Sequence, residues 1–318
     1  MSDATAFWII GAGAGELRGE ALPALEADHV RVRMICSGVS RGTERLVLHG
    51  RVPASEQARM RCPFQAGAFP WPVKYGYGAV GRIEGGPRDG ERVFALHPHQ
   101  DRFVVPGDAA MRIPDAVPDA RATLAANMET AINALWDAEL LRAERVVVIG
   151  AGVLGLLVAL MARQEVEQAV HVVDPDSARC ALARELGLQA AAAADGEFDA
   201  IFHTSGHPDG LATALSIAAF EGRILEMSWF GDRSVTLPLG GAFHARRLRI
   251  ISSQVGHVAR VRRAWITRGQ RLALALEELS DPVFDRLLGP RIAFSDLPRE
   301  LPGLLDGTPN PPQIVVTY

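Results

Sequence analysis

"RVVVIGAGVLG", residues 145–155, carries an apolar run into three glycines and continues apolar beyond them. Gly150, Gly152 and Gly155 form G-x-G-x-x-G at the end of a predicted strand and the start of a predicted helix, the setting in which the motif has meaning. The first glycine permits a tight turn. The second lets the backbone approach a pyrophosphate, and the third lets helix and strand pack closely. The helix N-terminus, opening at Val153 and Leu154, then presents its free N–H groups to the phosphates. Asp174 ends the next apolar segment, 19 residues past Gly155, and Pro175 follows it. A carboxylate there binds ribose hydroxyls and repels a 2′-phosphate, so NAD(H) is expected over NADP(H). Arg179, five residues on, is either a further cofactor contact or a solvated helix arginine.

A second glycine-rich stretch, "FWIIGAGAGELRG" (7–19), has the spacing G-x-G-x-G, a strand that looks short, and Pro23 beyond it. It reads as a surface turn. Outward from Gly150, strand and helix alternate: "RVVVIG", a helix to about residue 163, "AVHVVD", "SARCALAREL", "FDAIFHT", "GLATALSIAA", "GRILEMSW" and "LRIISS". That alternation implies a parallel sheet covered on both faces. Before it, "RATLAANMETAINALWDAEL" spaces Leu124, Met128, Ala131 and Leu135 as a helical stripe.

The first 115 or so residues have another style. "HVRVRMIC" (29–36) alternates Val30, Val32 and Met34 with Arg31 and Arg33, and "ERVFALH" and "DRFVVP" follow as short strands. A small rolled β domain is expected. The last strand, "QIVVTY", has no sheet of its own nearby and is inferred to return to that domain. The expected division is 1–117, 118–256 and a returning segment 257–318. The arginines of "RVRRAWITRGQR" (260–271) read as one helix face.

Composition narrows the function. A net charge of −4, with 48% hydrophobic and 22% charged residues, offers no field for nucleic acid or an anionic membrane. The longest uncharged apolar run, residues 146–162, is strand, turn and helix rather than a membrane span. The N-terminus lacks the basic start of a secretory signal. Cys36, Cys62 and Cys180 form no metal or disulfide pattern, and a reduced cytoplasmic location is expected.

The order of parts, together with "GPRDGERVFAL", "NMETAINAL", "VVVIGAGVLG", "FDAIFHTSG" and "RRLRIISSQVG", resembles the medium-chain dehydrogenase/reductase superfamily over nearly the whole chain. "SGVSRGTERL" with "KYGYGAVG" looks most like the subgroup around 2-desacetyl-2-hydroxyethyl bacteriochlorophyllide a dehydrogenase. The resemblance implies an α/β chain made of a GroES-like β-barrel catalytic domain and a Rossmann doubly wound domain. It also implies hydride transfer with a nicotinamide cofactor and a homodimer through the nucleotide domain.

The resemblance departs at the zinc ligands. Ser40 stands for the ligand cysteine, with one residue inserted after it, Tyr77 for the ligand histidine, and Gly78 for the adjoining glutamate. The four-cysteine structural zinc lobe is absent. Zinc wants thiolate, imidazole or carboxylate, so no zinc is expected. Substitute ligands would have to come from His97, His99, Cys36, Glu44 or Glu129.

Without a metal, side chains must stabilise the developing oxyanion. The resemblance puts Tyr77 at the reacting carbon, Thr43 at the proton-relay hydroxyl and Glu44 at its neighbouring acid. Lys74 lies on the same turn as Tyr77, where a lysine can lower a phenol's pKa. The alternative is that Tyr75 and Tyr77 fill space above a glycine bend, and that Thr43 and Glu44 cap a turn. Arg41 is placed by resemblance at the pyrophosphate, and Glu129 and Thr130 at the nicotinamide end. Glu129 then needs a partner, for which Asn133 at i+4 is a candidate. Thr204, Ser205, Gly206, Trp229, Phe230 and Gly231 end strands at the sheet's carboxyl edge, where cofactors bind. Many members carry a basic residue before the last strand, where this chain has "NPPQ" (310–313).

These features describe an NAD(H)-dependent, zinc-independent oxidoreductase acting on a secondary alcohol or ketone. An enone or quinone reductase, or an NAD(H)-binding redox sensor without turnover, remain open. A bulky substrate is suggested by the subgroup.

Overall fold

A computed structural model describes residues 3–307 and 312–318. The chain divides into two compact units: one of residues 1–126 and 272–318, the other of residues 127–271.

In the second unit, six parallel strands lie in the order Gln189–Ala191, His171–Val173, Val146–Ile149, Phe198–His203, Ala218–Glu226 and Arg249–Ser252. The sheet starts at its centre and winds outward in both directions, the doubly wound order. The strand Val146–Ile149 at its centre is apolar and buried throughout, the pattern of a parallel strand covered on both faces. Val147, Ile149, Ile201 and Ile224 pack with Leu211, Ala214 and Leu215 from the helix Pro208–Ile217. The edge strand Gln189–Ala191 lies within an alanine run too featureless to read as a strand.

In the first unit, the strand His29–Val39 is central to a seven-stranded sheet, and Val32 and Met34 face its core as their alternation requires. The last strand, Gln313–Thr317, pairs antiparallel with it, so the tail returns to this unit. "FWIIGAGAG" is a hairpin: the strand Ala4–Gly11 is longer than its sequence suggested and pairs with Ala14–Glu20. "RGTERLVL" forms a short helix, Arg41–Leu48, where no helix was expected.

The helix Ala125–Ala138 carries Met128, Ala131 and Leu135 of the expected stripe, with Leu124 just before its start, all buried. Two expectations, one for the arginines of residues 260–271 and one for Glu129, need correction. The arginine-rich stretch is not one helix: residues 260–265 are turns, and the helix Arg268–Glu278 begins late. Its Arg271 is fully buried, with Nε donating to Glu129 Oε1 at 3.0 Å and Nη1 donating to Asn133 Oδ1. The buried carboxylate is therefore paired by an arginine far along the chain, not by its i+4 neighbour, because a buried charge demands a full countercharge. Removing one member leaves the other uncompensated. Glu129→Ala should lower unfolding stability by about 3 kcal/mol in urea titrations, with Glu129→Gln costing less.

Candidate functional site

The glycine-rich turn has the close contacts its motif implies. Gly150 adopts φ +109°, and a Cβ on it would sit 2.8 Å from the Ser205 backbone. A Cβ on Gly155 would lie 1.8 Å from the Gly150 carbonyl oxygen, so no other residue fits. Gly152 N-caps the helix Val153–Glu165, and a Cβ on it would meet nothing within 4 Å. Val153 and Leu154 are partly exposed in the first turn, where N–H groups have no intrahelical partner. Open space beside free N–H groups at a 13-residue helix is a cradle suited to pyrophosphate.

Asp174 is buried at the strand end and shapes this turn. Its Oδ2 accepts the Ala151 N–H at 2.8 Å, and its Oδ1 accepts the Asp176 N–H at 2.9 Å. Arg179 Nη1 lies 3.4 Å from the same Oδ2, so this arginine is neither remote nor simply solvated. Carboxylate oxygens have lone pairs to spare for ribose hydroxyls. Pro175 is exposed just past the strand.

At the carboxyl edge, Thr204 Oγ1 donates to the Gly150 carbonyl at 2.9 Å, locking the two strand ends together. Ser205 is exposed beside it, and the Gly206 N–H donates to Ser228 Oγ at 3.0 Å. Trp229 and Phe230 are partly exposed, with Arg233 lying 5.8 Å over the Phe230 ring. Thr130 is partly exposed on its helix. Sequence reasoning missed His203, which is fully buried between Glu226 and Ser205. Its signal was a histidine where the strand pattern calls for an apolar residue.

The first unit gathers the expected catalytic residues around Tyr77, with one exception. Ser40 and Thr43 hydrogen-bond the partly exposed Tyr77 side chain, and burial of its phenol pushes the pKa above the ordinary 10. Glu44 is buried: its Oε1 accepts the Ser40 N–H at 2.7 Å and its Oε2 lies 3.0 Å from His99 Nε2. His99 Nδ1 continues to Ser37 Oγ at 2.7 Å, and Ser37 to the Tyr318 hydroxyl at 3.0 Å. Sequence reasoning missed Ser37 and Tyr318, since 281 residues of chain separate them.

Lys74 is the exception. Its ammonium donates to Glu20 at 2.6 Å and to Gln100 at 2.7 Å. The expected lowering of Tyr77's pKa by this lysine is corrected: the lysine is neutralised elsewhere, and desolvation raises the phenol instead. Arg41, expected at a pyrophosphate, donates to the carbonyls of Leu305 and Gly307 and caps the helix Leu297–Asp306. Of "NPPQ", Asn310 and Pro311 lie outside the described residues.

The donor set does not fit catalytic zinc. Ser40 and Tyr77 offer neutral hydroxyls bonded to one another's neighbourhood, and Cys62 nearby has its thiol pushed up to about 12 by burial. Cys36 is likewise raised to about 12. His97 stacks between Phe64 and Phe103, with ring centroids 5.6 and 3.9 Å away, and burial lowers its pKa to about 3. His97 and His99 thus do not act as a pair: one packs among rings and the other bonds Glu44. Among the described residues, three metal-binding side chains converge only at Glu26, Asp28 and His29, away from these groups on the surface.

No protein-family model and no curated protein sequence matches this chain. Solved structures do match it in fold. An NADH-complexed short chain alcohol dehydrogenase from E. coli CFT073 superposes with TM-score 0.77 at 18% identity, over 99% of each chain. The 2R,3R-butanediol dehydrogenase of Bacillus subtilis gives 0.77 at 16%, over 99% of this chain and all of that one. Benzyl alcohol dehydrogenase from Acinetobacter calcoaceticus gives 0.77 at 16%, covering both chains completely. At these identities the likeness establishes the fold: α/β, with a GroES-like β-barrel part and a Rossmann part. No helix is long and apolar enough to cross a membrane among the described residues.

Tyr75, Tyr77 and Tyr318, the chain's three tyrosines, all have pKa values raised by burial. Unfolded tyrosines ionise near 10, so above that pH the unfolded chain holds fewer protons than the native one and stability falls as pH rises. Native protein titrated to about pH 11 should show almost no tyrosinate absorbance, and unfolded protein should show all three.

Proposed function

We propose that this protein is an NAD(H)-dependent oxidoreductase that interconverts a secondary alcohol and a ketone without zinc. The carrying observation is the Tyr77 phenol, held by Ser40 and Thr43 and kept protonated by burial. The nicotinamide, when bound, supplies or accepts the hydride at its C4. The cradle formed by Gly150, Gly152 and Gly155 with the helix N-terminus holds the pyrophosphate, and Asp174 takes the ribose hydroxyls. In ketone reduction, Tyr77 donates a hydrogen bond to the carbonyl oxygen, stabilises the developing alkoxide and gives it a proton. The Ser40 and Thr43 hydroxyls, each hydrogen-bonded to Tyr77, relay a replacement proton from water, giving one up as they take one on. A protonated phenol suits this task better than a tyrosinate, because the oxyanion needs a donor.

The cluster of three hydroxyls at one point supports alcohol–ketone chemistry over reduction of an apolar enone. The resemblance of "SGVSRGTERL" and "KYGYGAVG" to the bacteriochlorophyllide dehydrogenase subgroup favours a bulky substrate. Three buried free cysteines accord with a reduced, cytoplasmic setting. We also infer a homodimer through the nucleotide-binding unit, where Arg249–Ser252 is an edge strand and Phe220 and Ile250 are exposed.

A panel of secondary alcohols, ketones, enones and quinones, followed by NADH absorbance, tests the reading. Turnover should appear with alcohols and ketones, and turnover of enones or quinones alone would refute it. Tyr77→Phe should lower kcat about 10²–10³-fold with little change in KM. Asp174→Ala should weaken NADH binding about tenfold and narrow the preference over NADPH.

A further inference from the structure

His203 and Glu226 stand side by side on neighbouring parallel strands, in register at the carboxyl edge of the sheet. His203 is fully buried, and its Nδ1 lies 2.7 Å from Glu226 Oε2. The other carboxylate oxygen accepts the Ser228 N–H at 2.7 Å, which fixes the glutamate's orientation. On the far side of the imidazole, Nε2 lies 2.7 Å from Ser205 Oγ. Ser205 in turn backs directly onto Gly150, since a Cβ there would meet the Ser205 backbone at 2.8 Å. The array therefore ends on an exposed hydroxyl beside the glycine cradle.

The direction of each hydrogen bond follows from what the groups can do. An ionised carboxylate only accepts, so Nδ1 donates to it, and in the neutral imidazole Nε2 is then the acceptor. Ser205 must then donate its single O–H to Nε2, and Oγ already accepts the His207 N–H at 3.1 Å. One lone pair remains, and it accepts only. Ser205 Oγ can therefore receive a hydroxyl from a ligand, but its own O–H is not available to a phosphate or carbonyl. Gly210 keeps the array closed: a Cβ on it would fall 2.5 Å from Ser205 Oγ and 2.7 Å from His203 Nε2.

We propose that Glu226 and His203 are positioning residues that hold Ser205 Oγ as an obligate hydrogen-bond acceptor for a ribose hydroxyl of the bound dinucleotide. This rests on the reading of the unit as a dinucleotide site. A ribose offers hydroxyl donors, whereas a phosphate oxygen would find no donor at Ser205 Oγ. Glu226→Gln reverses the polarity, because its amide donates to Nδ1, the proton moves to Nε2, and Ser205 becomes a donor.

Histidine-labelled ¹⁵N NMR of the wild-type protein reads the tautomer directly, and titration with NADH reads its consequence. The expected result is His203 protonated at Nδ1 alone, with a shift to Nε2–H in Glu226→Gln. Ser205→Ala and Glu226→Gln should each weaken NADH binding about tenfold, and the double variant should bind no worse than Ser205→Ala. Gly210→Ala, an ordinary helix substitution, should produce the same loss by displacing Ser205. A wild-type His203 protonated at Nε2, or at both nitrogens, overturns the proposal whatever the binding shows. If wild type and all variants bind NADH equally, the positioning role fails while the dinucleotide reading stands. If the wild type itself does not bind NADH, both fail.

Discussion

The contact between Gly155 and the Gly150 carbonyl governs the unit of residues 127–271. With only 1.8 Å available to a Cβ, the helix Val153–Glu165 can start where it does only if that position has no side chain. Its N-terminus is thereby brought onto the strand end, and the surrounding groups are arranged to hold it there. Thr204 Oγ1 fastens the neighbouring strand to the Gly150 carbonyl, and Asp174 fastens the turn through the Ala151 N–H. The same backbone closeness places Ser205 against the glycine turn, so one packing rule fixes both.

The β-rich unit solves a different problem. Around Tyr77 this chain gathers hydroxyls, and hydroxyls in low dielectric stay neutral. Burial lifts Tyr77 and the Cys62 and Cys36 thiols away from ionisation, which leaves the Tyr77 phenol a neutral hydrogen-bond donor. Glu44 is still buried, but it bonds the Ser40 N–H and His99, which satisfies its charge without a cation from solvent. Tyr318 closes the same network from the chain's last residue, tying the returning strand to the strand His29–Val39 through Ser37.

Features governed by short spacing were legible in the sequence. The glycine motif, the acid after it, the alternation in "HVRVRMIC" and the stripe through Met128 each depend on neighbours within a turn or two, or on one βαβ unit. Partnerships that cross long stretches of chain were not. Lys74 was read against Tyr77 because they are three residues apart, yet its charge is taken by Glu20, which the hairpin brings in. Glu129 was read against Asn133, and Arg271 takes it from 142 residues away. His203 escaped notice because a single histidine in an apolar strand has no periodic signature; only its register opposite Glu226 reveals the pair.

The central claim is hydride chemistry supported by a phenol in place of a metal. Its most direct test is turnover of an accepted ketone with NADH before and after exhaustive chelation, with zinc content measured on the same samples. The account predicts full activity in protein that holds no stoichiometric zinc. Activity that disappears on chelation and returns with added zinc would contradict it.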